Sequence, residues 1–156
     1  MKNILKLISC IILCELAGII GSVFTFSEIP DWYASLAKPA LNPPSWIFGP
    51  VWTTLYALMG IALYIIIRKG WDRQDVRRGV WAFAIQLVLN SLWSIVFFGL
   101  HETGWAFVNL VAMWMAIAWT MILFGRISKP AIWLLVPYIL WVSFAGYLNY
   151  SIWILN

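Results

Sequence analysis

The chain has 156 residues, of which 63% are hydrophobic and 10% charged, with a formal net charge of +4. An average globular domain is about 45–50% apolar and about 25% charged, so in water this chain would expose apolar surface that it has no polar groups to cover. That excludes a soluble enzyme and a nucleic-acid-binding domain, and the abundance of core-forming residues excludes disorder. At ~20 residues per transmembrane helix, the composition fits an all-α membrane protein, five helices in one domain spanning residues 1–156.

The first apolar run covers residues 4–26. Too few apolar residues precede Cys10 for the ~7–15-residue core of a signal peptide, so the run reads as a retained helix. Cys10 and Cys14 share one of its faces and read as small buried hydrophobes, since no further Cys/His pair exists to complete a metal site. Glu15 is the one carboxylate inside a span, a position that is functional by default. No basic residue in any span pairs with it, which leaves it either protonated or facing a neighbouring subunit. Ala17, Gly18, Gly21 and Ser22 allow another helix to approach closely, within the bundle or across a dimer.

Residues 27–44 form a long loop holding Pro30, Pro39, Pro43 and Pro44, which remove backbone donors. The second helix is expected over 45–67 with Ser45 as N-cap, the third over 79–99 and the fourth over 104–124. The fifth covers 131–155, with a kink expected at Pro137. His101, the single histidine, falls in the tight turn 100–103 and reads as a solvated residue.

Five spans put the termini on opposite sides. Lys2, Lys6, Arg68, Lys69, Arg73, Arg77, Arg78, Arg126 and Lys129, nine of the ten basic residues, fall on the side of the N-terminus. Lys38 alone falls on the other. The positive-inside rule then makes the N-terminus cytoplasmic, and the C-terminus and proline-rich loop extracytoplasmic, in a multi-pass protein of the cell membrane. The basic turn Arg73–Arg78 is a membrane-flanking cluster that meets lipid headgroups.

Twelve tryptophans are the unusual feature. Trp32, Trp46, Trp71, Trp81, Trp105, Trp133 and Trp153 suit an interfacial belt, whereas Trp93, Trp114 and Trp141 fall near mid-span. Gln86, Asn90, Trp93 and Phe97 share one face of the third helix. Trp105, Asn109 and Ala112 share one of the fourth, Trp141, Ala145, Leu148 and Asn149 one of the fifth, and Trp52 and Tyr56 one of the second. Intramembrane amides turn toward the bundle interior. Four helices thus aim mixed aromatic and amide faces at one another, either as interhelical glue or as an aromatic pocket with a few orienting polar groups. No Ser/His/Asp set, metal cluster, phosphate loop or close carboxylate pair is present in the sequence.

The run Trp32-Tyr33-Ala34-Ser35-Leu36-Ala37-Lys38-Pro39, Pro43-Pro44 and Phe48-Gly49-Pro50-Val51-Trp52-Thr53-Thr54-Leu55-Tyr56 with Met59-Gly60 resembles the signature of the translocator protein family. The family is also called tryptophan-rich sensory proteins or peripheral-type benzodiazepine receptors. The likeness continues through Leu89-Asn90-Ser91-Leu92-Trp93, Phe97-Phe98-Gly99, Gly104-Trp105-Ala106, Pro137-Tyr138, Trp141, Phe144-Ala145 and Leu148-Asn149-Tyr150 to Trp153, nearly the whole chain.

The resemblance implies a homodimer of five-helix bundles, each with a ligand pocket inside the bundle under the first loop. It implies tetrapyrrole ligands such as protoporphyrin IX, isoquinoline carboxamide and benzodiazepine ligands, and light-dependent porphyrin breakdown with no cofactor beyond light and dioxygen. Trp52 and Trp141 match the tryptophans tied to that chemistry. Tyr33, Pro43, Phe48, Gly49, Tyr56, Asn90, Trp93, Trp105, Asn109, Phe144, Ala145, Leu148 and Asn149 match lining or supporting positions. The alternative is a carrier or sensor of hydrophobic small molecules without catalysis. Two departures stand out: no basic residue follows Tyr150, leaving the sterol motif incomplete, and Asn109 stands where animal members tend to have Asp.

Overall fold

The computed structural model describes residues 2–156, the side chain of Lys2 excepted, and among these every regular element is a helix. Five helices are long and apolar enough to cross a membrane. They are α1 (Lys2–Thr25), α3 (Phe48–Ile67), α4 (Gln74–Ser94), α5 (Thr103–Ile127) and α6 (Lys129–Leu155). The short α2 (Trp32–Ser35) lies within the proline-rich loop. The chain is a membrane bundle, as its composition requires.

The helix boundaries differ from the sequence reading mainly at two places. A 3-10 turn, Ser45–Ile47, precedes α3, so Ser45 is not its N-cap. α4 begins at Gln74 rather than 79, because the Asp75 carboxylate accepts from the Val76 amide (2.9 Å) and from Arg73, occupying donors at the helix start. α6 runs unbroken through Pro137.

The helices close into a ring in the order α1–α3–α6–α5–α4. Small residues set the close crossings. A Cβ at Gly60 of α3 would lie 2.5 Å from Ile11 Cα, so the two backbones touch there. Gly18 faces the ring of Tyr56, and Gly21 faces Ser94. The small stripe on α1 therefore works inside the bundle. Cys10 and Cys14 pack in the same core as free thiols.

A chain of hydrogen bonds ties the centre together. The Tyr56 hydroxyl donates to Asn90 Oδ1, Asn90 Nδ2 donates to the Tyr138 hydroxyl (3.1 Å), and that hydroxyl donates to Gln86 Oε1 (2.8 Å). All four residues are buried. The chain links buried groups of α3, α4 and α6 and so locks their register.

α4 does not end as an α-helix. Ile95–Gly99 forms a π turn closed by the Leu100 amide on the Ile95 carbonyl (2.9 Å). The extra residue leaves Phe97 and Phe98 both buried at the end of the bundle nearest α2.

Candidate ligand-binding cavity

A cavity of about 450 Å³ opens between four of the five long helices. Its walls are Glu15, Gly18, Ile19 and Ser22 of α1, Phe48, Gly49, Trp52 and Tyr56 of α3, Asn90, Trp93 and Ser94 of α4 with Phe97 and Phe98, and Trp141, Ala145, Leu148 and Asn149 of α6. Tyr33 and Ile29 approach from the loop. α1 and α3 touch at Gly60 and at Gly18, while Ile19, Phe26, Trp46 and Thr53, which also line the cavity, are exposed. The opening therefore faces the bilayer side of the bundle.

Aromatic rings make most of the wall. Trp52 stacks on Tyr56 with centroids 5.5 Å apart, and Trp93 stacks on Phe97 at 5.2 Å. Phe48 meets Trp141 edge-on at 6.0 Å. The indole N–H of Trp93 donates to Asn149 Oδ1 (2.9 Å), and Asn149 Nδ2 donates to the Thr103 carbonyl (2.8 Å), which fixes both groups. The indole N–H of Trp141 is buried and has no hydrogen-bond partner among the described residues. An unpaired buried donor costs about 1–3 kcal/mol, and an acceptor on a ligand would recover it.

The loop forms a lid held at three points. Tyr33 is buried against Phe97 and Phe98 (centroids 6.3 and 5.7 Å), and its hydroxyl braces the loop internally by donating to Asn42 Oδ1 (2.8 Å). Burial pushes the Tyr33 phenol up, so at neutral pH it is the protonated, donating form. Trp32 lies flat on the ring of His101 (4.1 Å, 11°), whose Nε2 is 2.8 Å from Glu28 Oε2. His101 takes a left-handed conformation (φ 57°) to make that contact. At the far end, the Ala37 amide donates to Asn156 Oδ1 (3.0 Å) and Asn156 Nδ2 returns a bond to the Ala37 carbonyl (3.1 Å). His101 is exposed, as its place in the turn implies, and also serves as a clasp. Lys38 is spent on the lid itself, donating to the carbonyls of Ala34 (3.2 Å) and Leu36 (3.0 Å).

Of the residues singled out in the sequence, Tyr33, Phe48, Gly49, Trp52, Tyr56, Asn90, Trp93, Trp141, Ala145, Leu148 and Asn149 meet in this cavity. Pro43 and Phe144 sit one layer out: the Pro43 carbonyl accepts from Asn42 (3.1 Å), and Phe144 packs on Trp141 (5.6 Å). Trp105 and Asn109, expected to turn inward, do not reach it. Ala106 faces the interior, so its neighbour Trp105 turns out and is 68% exposed. Asn109 donates to the Leu89 carbonyl (2.9 Å) and joins α5 to α4. The mid-span Trp114 likewise joins α5 to α6 through Ser143 (2.9 Å). The fourth wall is α1 in place of α5, because α5 packs behind α4 and α6. The sequence marked α1 only through Glu15 and the small residues Ala17, Gly18, Gly21 and Ser22, which signalled close helix approach and not a cavity wall, while the π turn has no sequence signal.

The same fold signature appears in known proteins. The TspO/MBR family model matches residues 10–154. The chain is similar to the tryptophan-rich protein TspO of Chlorobaculum tepidum, 49% identical over 155 residues that cover 99% of this chain and 98% of that one. It is similar to the translocator protein of Bos taurus (41% identical, 91% and 85% covered) and to the tryptophan-rich sensory protein of Cereibacter sphaeroides (36% identical, 81% and 77% covered). Matched over almost its full length by that model, and by relatives from bacteria to mammals, the chain belongs to the TspO/MBR family.

Proposed function

We propose that the protein binds tetrapyrroles such as protoporphyrin IX in this cavity and promotes their light- and oxygen-dependent degradation. The observation that carries the reading is the pairing of Trp52 and Trp141 as walls of one apolar, aromatic chamber, with the Trp141 N–H unpaired. A flat macrocycle stacks on indole and phenol faces, and its ring nitrogens include acceptors for that N–H. Among the described residues no Lys, Arg or His lines the cavity. The two propionates therefore stay at the open rim, in contact with headgroups or water, while the ring enters.

Light excites the ring and dioxygen is the oxidant. The excited ring passes energy or an electron to dioxygen, or draws an electron from an adjacent indole, hands it on to dioxygen and then re-reduces the indole radical cation. The porphyrin is thereby oxidised and dioxygen reduced, and the apolar walls keep the reactive species beside their target. The same chamber would accept isoquinoline carboxamide or benzodiazepine ligands, which are flat and weakly polar. In this reading the protein sits in the cell membrane with its N-terminus cytoplasmic, a topology supported by the basic loops, and the resemblance implies a homodimer.

The test is the double substitution Trp52→Phe with Trp141→Phe. Binding of protoporphyrin in the dark is expected to persist, because phenyl rings still stack, while light-driven loss of porphyrin falls by most of its rate. Consumption at the unaltered rate would remove both tryptophans from the chemistry.

A further inference from the structure

The cavity wall contains one ionisable acid that tetrapyrrole binding does not use, and a bound cation would favour its charged form. Glu15 of α1 is half-buried, and the described residues include no salt bridge or hydrogen bond to it. Gly18, one turn along the same face, has no side chain, and the ring of Tyr56 packs onto it. Trp52 stacks on Tyr56. The Glu15 carboxyl thus lines the same chamber as these rings, and among the described residues no cation in the wall neutralises it.

A carboxylate within an apolar, aromatic enclosure is the arrangement that recognises a positive charge on an apolar body. The ring quadrupoles attract the cation, the carboxylate supplies the counter-charge at low dielectric, and both recover what burying each charge alone would cost. A membrane-embedded acid with no internal partner calls for a partner from outside. We infer that the cavity takes lipophilic cations, quaternary ammonium or protonated amine groups carried on a flat aromatic body, with the charge at Glu15 and the body against Trp52 and Tyr56. The inference rests on the cavity being a ligand site, and it goes beyond the porphyrin reading, since porphyrin propionates carry the opposite charge.

Two probes of equal shape test it: (anthracen-9-ylmethyl)trimethylammonium and its neutral carbon isostere 9-neopentylanthracene. Binding in the dark is read by energy transfer from the tryptophans in detergent. Glu15→Gln is expected to weaken the cation by about tenfold or more, the scale of a charge-assisted contact, and to leave the neutral probe unchanged. That unchanged neutral affinity also shows that the variant is folded. In the unaltered protein, with each affinity referenced to partition into protein-free micelles, the cation is expected to bind more tightly by a similar factor. Equal cation affinity in both proteins, or no preference in the unaltered one, overturns the inference. Protoporphyrin titrated in parallel separates the two readings: its failure to bind beside intact cation selectivity removes the tetrapyrrole proposal and leaves this one standing.

Discussion

At the scale of single residues, the cavity depends on side chains whose polar atoms are committed before any ligand arrives. Asn90 both lines the chamber and bridges two buried hydroxyls. Asn90→Leu leaves the Tyr56 hydroxyl without its acceptor, a loss of about 1–3 kcal/mol for a buried group left unpaired, and removes the bond that the Tyr138 hydroxyl accepts while it still donates to Gln86. The melting temperature in detergent is expected to fall clearly. Asn109→Leu removes one bond to a backbone carbonyl, for which ~0.6 kcal/mol is the average cost in a membrane bundle. An equal effect of the two substitutions would contradict the central role given to the Asn90 chain. Asn90 was legible as an inward amide from its spacing with Trp93 and Phe97. Asn109 looked the same in sequence, and only the position of α5 behind α4 and α6 separates glue from lining. Trp105 was misread for a related reason: its motif matched a pocket position, while the inward slot at that height belongs to Ala106.

At the scale of elements, two features govern access. The first is the α1–α3 crossing, where Gly60 meets the Ile11 backbone. Gly60→Val cannot be absorbed by a rotamer change because the obstacle is main chain. It is expected to cost at least the ~1–3 kcal/mol of an overpacked core and to lower thermal stability, read by the melting temperature in detergent. Gly49, whose Cβ direction is open, is expected to tolerate alanine. The second feature is the lid. His101→Ala removes the ring under Trp32 and the Glu28 contact together. These are exposed or half-buried contacts, so stability is expected to change little while ligand exchange accelerates several-fold, measured by stopped-flow quenching. Unchanged exchange would show that the lid is not the gate. The five spans and the loop were readable from hydropathy and proline content. The clasp was not, because Glu28 and His101 are 73 positions apart and nothing local to either announces the other. The π turn was equally silent: its extra residue costs nothing in pattern until Phe97 and Phe98 find the same core.

At the scale of the whole molecule, the ring of helices makes an aromatic chamber that is closed by packing at one end, covered by a lid at the other and open along the α1–α3 side. The arrangement suits an apolar, flat ligand that arrives from the bilayer, and its polar groups act mainly in holding helices together. The central claim is that this chamber binds a tetrapyrrole and promotes its photochemical loss. The most direct measurement uses the purified protein in detergent with protoporphyrin IX, following tryptophan fluorescence in darkness and then porphyrin absorbance under light. Saturable quenching in the dark, followed by loss of porphyrin and a new product band above the protein-free control, is the expected result. Absence of dark quenching, or bleaching no faster than in the control, would contradict the claim.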